Sequence, residues 1–147
     1  MTMNPEPIFV EPNILVYATV QAAPLHYQAQ RTLQDWWDRG SVLWISRQVL
    51  REYAMVVSRP QSFMQPLAPL AVAEQLTVFT RQFQVADDTS AVTAHWLTLL
   101  STLHIAGRQV YDANIVATML AYDITGLLTN NAADFRRYGS QITLVPL

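Results

Sequence analysis

Short apolar runs alternate along the chain with longer segments in which apolar residues recur at helical spacing. Ile8-Phe9-Val10, Val42 to Ile45 and Gly126 to Leu128 are β-prone runs that predict buried strands. Phe83 to Val85 and Ile142 to Val145 predict two further short strands. Strands that alternate with helices through short loops indicate a parallel sheet, so we expect an α/β domain with a parallel sheet of four or five strands and helices on both faces.

The segments between the strands predict helices. Pro12 has a φ suited to the first turn of a helix, so Asn13 to Ala18 is expected to turn helical directly after the first strand. Ser46 is the expected N-cap of a helix from Arg47 to Val57. Further helices are predicted over Leu25 to Arg39, over Leu70 to Phe83, from Val92 to Leu103 and from Asp112 onward.

A proline-rich segment, Arg59 to Pro69, interrupts this alternation. Its prolines predict an irregular or kinked connection, because proline removes a backbone donor and fixes φ. Phe63, Met64 and Leu67 are expected to be exposed apolar groups there. We interpret the segment as a candidate surface for a protein partner.

The composition indicates one core-rich globular domain. Hydrophobic residues make up 51% of the 147 residues and charged residues only 14%, so we expect a single domain over residues 1–147. The nine basic residues are all arginines and the formal net charge is −2. A chain of this charge has no long-range positive field that would attract nucleic acid, so binding a polyanion would need bound cations or local arginines.

Two absences in the sequence bear on the cellular compartment. The chain has no cysteine, which excludes disulfides and thiolate metal sites and fits a reducing compartment. The N-terminal stretch lacks a secretory pattern, and no apolar run approaches the roughly 18 residues of a membrane span. We therefore expect a cytoplasmic protein without membrane contact.

Five polar residues fall where the predicted strands end. Glu11 follows the first strand, Glu52 lies in the helix after the second, Asp112 heads the helix before the fourth, and Asn131 and Asp134 follow the fourth. Open α/β sheets bind ligands beyond the carboxyl ends of their strands, so these side chains are expected to meet. Carboxylate and amide oxygens bind hard cations, and the set predicts a site for Mg²⁺ or Mn²⁺.

Each of these residues also has an ordinary structural interpretation. Asp112 is a favourable N-cap, and Glu11 could cap the helix that follows it. Glu52 could be a solvated residue at the edge of an apolar stripe, and Asn131 and Asp134 could merely shape a turn. These interpretations leave unexplained why every acid falls at the same end of the sheet.

Other candidate sites are less well supported by the sequence. The three histidines lack the i, i+4 partner of a helical zinc site, and the four glycines form no phosphate-binding loop. Trp36 and Trp37 at helical spacing are more typical of packing than of base stacking. Four arginines could grip phosphates or could equally be solvated surface charges: Arg47, Arg51, Arg136 and Arg137.

The polar motifs, taken in order, resemble those of PIN-domain proteins of the type of the VapC toxins of bacterial toxin–antitoxin pairs. The matching stretches are FVEPNILVYA, ISRQVLREYAMVVSRP, VYDANIVATML and LLTNNAADF, which together span nearly the whole chain. The resemblance implies a PIN-like domain that hydrolyses RNA with a divalent metal. Glu11, Glu52 and Asp112 would be catalytic metal ligands, with Asn131 and Asp134 completing the pocket. It also implies a homodimer that is silenced by a small antitoxin protein.

Two positions depart from the family's first motif. The family normally has Asp where this chain has Glu11, and commonly Thr or Ser where it has Pro12. The extra methylene can move a carboxylate by more than about 1 Å, whereas metal–oxygen distances are held to about 0.2 Å. Two hypotheses follow: an Mg²⁺- or Mn²⁺-dependent endoribonuclease that leaves 5′-phosphate and 3′-hydroxyl ends, or a PIN-fold protein that binds RNA or a protein partner without cleaving.

Overall fold

A computed structural model describes residues 6–147, and within them the strands form one fully parallel sheet of order β3-β2-β1-β4-β5. The five strands are β1 Ile8–Val10, β2 Leu43–Ser46, β3 Gln84–Ala86, β4 Gly126–Thr129 and β5 Thr143–Pro146. The predicted α/β class and parallel sheet are confirmed, with the larger of the two predicted strand numbers. Residues 1–5 of the predicted domain lie outside the described residues.

Helices connect successive strands. They are α1 Pro12–Thr19, α2 His26–Asp38, α3 Arg47–Val57, α4 Pro69–Gln82, α5 Ser90–Thr102, α6 Gln109–Ala121 and the short α7 Ala132–Phe135, which a 3₁₀ turn at Arg136–Tyr138 follows. The chain moves from β1 to β2 to β3 in one direction and then crosses back to β4. Since such crossovers are right-handed, α1 to α4 cover one face of the sheet and α5 and α6 cover the other.

The centre of the sheet is buried on both faces, which explains why its strands read as short, continuous apolar runs. Ile8, Phe9 and Val10 of β1 are all buried, and so is every residue of β4. Gly126 leaves room for the Ile8 side chain, because a Cβ at this position would lie 2.6 Å from Ile8 Cδ1. In the register of these two strands Ile8 pairs with Gly126 and Val10 with Leu128, so both strands end at the candidate site.

Local capping sets where several helices begin. Ser46 accepts a hydrogen bond from the Val49 amide at 3.3 Å, which confirms it as the N-cap of α3. Thr89 caps α5 in the same way, through the amide of Val92 at 3.3 Å. Helix α6 begins at Gln109, earlier than predicted, so Asp112 lies inside its first turn instead of heading it.

The proline-rich segment differs from expectation. Phe63, Met64 and Leu67 pack partly buried against the core, so the prediction that they are exposed is wrong. Pro69 occupies the first turn of α4, where it disturbs no hydrogen bond of the helix. Leu70, which follows Pro69 in α4, has an exposed apolar side chain.

No helix in the described part of the chain, residues 6–147, has the length and apolar character needed to span a bilayer.

Candidate metal centre

Glu11 and Thr129 lie side by side at the carboxyl ends of the two central strands. Val10 of β1 pairs with Leu128 of β4, so the next residue of each strand comes to the same place. The Thr129 hydroxyl donates a 2.5 Å hydrogen bond to Glu11 Oε2 and accepts one of 2.8 Å from the Asn131 amide. The predicted acid is therefore held by a residue on the neighbouring strand that sequence reasoning did not single out.

Glu52 and Asp112 reach the same edge from two helices. Glu52 lies in α3, where Gln48, one turn earlier, donates a 3.2 Å hydrogen bond to Glu52 Oε2. Asp112 lies in the first turn of α6. Both side chains are half-buried, which is not the solvated surface position considered for Glu52.

One cavity of about 390 Å³ brings all five predicted residues together. Around it lie the side chains of Glu11, Glu52, Asp112, Asn131 and Asp134. Glu11 is only 6% exposed, whereas Asp134 is on the surface, so the cavity runs from a buried carboxyl to solvent.

Capping does not explain the placement of these residues. Glu11 and Asn131 occupy the N-cap positions of α1 and α7, yet neither side chain makes a capping hydrogen bond. Arg108, not Asp112, occupies the N-cap position of α6. The structural interpretation of Asp112 as a helix cap is therefore wrong.

The Glu11 carboxyl lies in an environment that favours its protonated form. Burial is the main reason that its pKa is raised from the ordinary 4.5 to about 7. Contacts with Thr129 and Asn131 oppose the rise, while the nearby charges of Asp112 and Glu52 add to it.

The other two acids share this tendency. Burial is the largest cause of the raised pKa of Glu52, and the charge of Asp112 adds to it. Burial also raises the pKa of Asp112 most, followed by the charge of Asp134. Arg108 acts in the opposite direction on both groups. Three carboxyl groups with raised pKa therefore surround one cavity. A cation bound there would favour their ionised forms.

Two of the arginines considered as phosphate contacts form surface salt bridges, and a different arginine lies at the cavity. Arg47 and Arg51 pair with Asp87 and Asp88 on the surface, at 2.9 Å and 3.4 Å. These are the two salt bridges within residues 6–147, so no acid of the cavity takes part in one there. Arg108 lines the cavity, a role that its position in the sequence before α6 did not suggest.

The chemistry of the donors fits a hard divalent cation. Carboxylate and amide oxygens surround the cavity, and these are ligands that Mg²⁺ and Mn²⁺ accept. Among residues 6–147, however, no three acidic or histidine side chains are already in position to hold one ion. Binding a cation would therefore require the side chains to rotate towards it.

The fold and the site together define a class of protein. The order of the strands reverses between β1 and β4, and the acidic cavity lies at the carboxyl ends of these two strands. This is the place where open α/β sheets bind ligands. Residues 8–140 match the model of the PIN domain, and the chain belongs to the PIN domain family.

Several characterised proteins are similar to this chain. It is 26% identical over 132 residues to Ribonuclease VapC24 of Mycobacterium tuberculosis, a match that covers 88% of this chain and 90% of that protein. The fold is similar to VapBC2 from Rickettsia felis bound to a DNA fragment from their promoter, with a TM-score of 0.65, 22% identity, and coverage of 95% and 98%. It is also similar to VapC20 of Mycobacterium tuberculosis, a sarcin-ricin loop cleaving toxin, with a TM-score of 0.62, 18% identity, and coverage of 82% and 86%.

Proposed function

We propose that this protein is an Mg²⁺- or Mn²⁺-dependent endoribonuclease of the VapC toxin type. The observation that carries the proposal is the convergence of Glu11, Glu52 and Asp112, with Asn131 and Asp134, on one cavity at the sheet edge. A relative that this chain matches over 90% of the relative's length bears the name ribonuclease, which supports the choice of RNA as substrate.

The carboxylates of Glu11, Glu52 and Asp112 would hold the cation, and Asn131 and Asp134 would complete its surroundings. When bound, a divalent cation activates water and offsets charge on the phosphoryl oxygens in phosphodiester hydrolysis. The acids of the cavity form no salt bridge within residues 6–147, so their charge remains available to the cation.

Arg108 is the cationic side chain that we assign to the RNA phosphate. It is exposed and lines the cavity, and its charge lowers the pKa of both Glu52 and Asp112. With a net charge of −2 the chain has no general attraction for RNA, so a local arginine beside the acids has to supply the contact.

Cleavage of RNA by the purified protein tests this function. We expect cleavage that depends on Mg²⁺ or Mn²⁺ and leaves 5′-phosphate and 3′-hydroxyl ends. Asp112→Asn and Glu52→Gln should each reduce it by at least about a hundredfold, since loss of an outer contact alone can cost that much. Asp35→Asn and Glu74→Gln, on exposed helix surfaces, are matched controls and should leave it unchanged. Cleavage that survives Asp112→Asn and Glu52→Gln would reject the proposed site.

A second candidate function is a PIN-fold protein that binds RNA or a protein partner without cleaving. The observation that favours it is Glu11 followed by Pro12 in place of the family's usual Asp and Thr or Ser. On this alternative the longer acid disables the site, so Glu11→Asp should create or sharply raise cleavage. On the nuclease proposal the same substitution draws the carboxylate back from Thr129, which holds it in place, and should reduce cleavage.

We also propose a small antitoxin protein as a partner. The structural neighbours include VapBC complexes, such as that of Rickettsia felis. We assign the partner to a groove of about 710 Å³ between α2 and α4, and not to the proline-rich segment, whose apolar side chains are partly buried. Tyr27 and Val78 line the groove and are exposed, which leaves apolar area available for a partner to cover.

The expected homodimer is a further proposal. A cleft of about 650 Å³ between α3, α5 and α6 is lined by Met55, Trp96 and Tyr111, and Met55 and Tyr111 are exposed. We assign the exposed apolar side chains of this cleft, and not Arg108 or Glu52 beside them, to the contact with a second copy of the chain. Light scattering on the purified protein should give twice the monomer mass, and Tyr111→Glu should reduce it to the monomer mass.

A further inference from the structure

Gln48 joins the two helices that carry Glu52 and Asp112. Its amide nitrogen donates to Glu52 Oε2 at 3.2 Å and to the Tyr111 carbonyl oxygen at 3.0 Å. Its amide oxygen accepts a 2.8 Å hydrogen bond from Asn114 Nδ2. One buried side chain, 8% exposed, therefore contacts an acid on α3 and both sides of Asp112 on α6.

These contacts allow only one orientation of the Gln48 amide. The Tyr111 carbonyl and the Glu52 carboxylate accept hydrogen bonds, so both must face the NH₂ group of Gln48. The Gln48 oxygen is then left for the donor on Asn114, and every polar atom of the Gln48 side chain is used. A buried and fully satisfied side chain of this kind has little freedom to reorient.

We propose that Gln48 is a positioning residue that ties Glu52 to the first turn of α6, which keeps Glu52 and Asp112 beside the same cavity and within reach of a cation. This inference rests on the metal site of the proposed function. Gln48 itself acts through Glu52 and Asp112 and is not a ligand, since its amide is already committed to other partners. Residues that orient metal ligands typically change metal affinity by about ten- to a hundredfold when they are substituted.

The test is Mn²⁺ affinity, measured by calorimetry, for Gln48→Met. Methionine keeps the length and approximate volume of glutamine and removes the hydrogen bonds, so packing is largely retained. We expect about a ten- to hundredfold loss of Mn²⁺ affinity. Gln34→Met is the matched control, because Gln34 makes the same type of bond to a carboxylate four residues on, Asp38, at 2.9 Å on an exposed face of α2. It should leave the affinity within about twofold.

A double-mutant cycle separates positioning from a general loss of structure. If Gln48 acts through Glu52, Gln48→Met should weaken Mn²⁺ binding much less in a Glu52→Gln background than in the unsubstituted protein. A crystal structure of Gln48→Met should show the Glu52 carboxylate displaced. An equal loss of affinity in both backgrounds, or no loss at all, would overturn the inference.

The same measurements distinguish this inference from the proposed function. Mn²⁺ binding that depends on Gln48, in a protein that does not cleave RNA, would support the positioning role and reject the nuclease. Failure of the unsubstituted protein to bind Mn²⁺ would overturn the positioning role together with the metal site.

Discussion

The Thr129 hydroxyl donates a 2.5 Å hydrogen bond to the Glu11 carboxyl across the two central strands. Both side chains are buried. The same hydroxyl also accepts a 2.8 Å hydrogen bond from the backbone amide of Asn131. The family's usual Thr or Ser after the first acid is Pro12 in this chain, and the hydroxyl next to Glu11 comes from β4. Thr129 therefore connects the first acid to the loop that carries Asn131.

Replacement of this hydroxyl should destabilise the protein. Thr129→Val keeps the shape of the side chain but leaves Glu11 Oε2 and the Asn131 amide without their partner. We expect the free energy of unfolding to fall by about 1–3 kcal/mol in urea denaturation, as is typical when a buried group loses its hydrogen bond. Thr98→Val, at an exposed position of α5, should change it by less than about 0.5 kcal/mol. Equal effects of the two substitutions would show that Thr129 has no special role.

The raised pKa of Glu11 predicts how stability depends on pH in the metal-free protein. Between pH 4.5 and about 7 the folded state keeps the proton that the unfolded state has released, so stability falls as pH rises through this window. The full shift corresponds to about 3 kcal/mol. The pKa values of Glu52 and Asp112 are raised as well and contribute in the same direction.

Glu11→Gln removes this titration and should therefore stabilise the metal-free protein at about pH 8, by up to about 3 kcal/mol. Below pH 4.5 the two proteins should be nearly equally stable, because Glu11 is then neutral in both the folded and unfolded states. Thermal unfolding as a function of pH checks this, with Glu74→Gln as the exposed control. A Glu11→Gln protein that is less stable than the parent at about pH 8 would contradict the assigned burial of a charge.

The effect of Glu11→Asp decides between the two candidate functions. Aspartate is shorter by one methylene, so its carboxyl would withdraw from Thr129 by more than about 1 Å. The nuclease proposal therefore predicts reduced RNA cleavage by this variant in Mn²⁺. A sharp increase above the parent protein would instead favour the impaired protein, in which glutamate at this position disables the site.

The groove between α2 and α4 makes a separate prediction about the partner. Val78→Asp places a charge on its exposed apolar surface and should prevent co-purification of the proposed antitoxin. The same substitution should leave RNA cleavage unchanged, since Val78 is not among the residues that line the acidic cavity. Retained co-purification would show that the partner covers another surface.

Much of the fold follows from the pattern of apolar residues, because buried parallel strands are apolar on both faces. The pattern predicts the first strand with its observed bounds, Ile8–Val10. The second strand begins one residue later than predicted, at Leu43, and the second and fourth strands both extend one residue further, through Ser46 and Thr129. The ladder of backbone hydrogen bonds, and not side-chain polarity, decides where a strand ends. Polar residues at strand ends were therefore assigned to the following loops.

The five acidic and amide positions could be predicted because each follows a recognisable element. The neighbouring residues that hold these side chains in place could not be predicted. Thr129 meets Glu11 through the register of β1 against β4, and Gln48 of α3 meets Asn114 of α6 through a single hydrogen bond between the two helices. Neither relationship is local in sequence. The spacing of Gln48 four residues before Glu52 was the one local signal that could have indicated a contact.

Calorimetric titration with Mn²⁺ shows whether carboxyls from separate elements form one cation site. At neutral pH we expect saturable binding by the parent protein, strong loss of binding in Asp112→Asn and Glu52→Gln, and unchanged binding in Asp35→Asn. No binding by the parent protein, or equal binding by all four proteins, would mean that these carboxyls do not form a cation site.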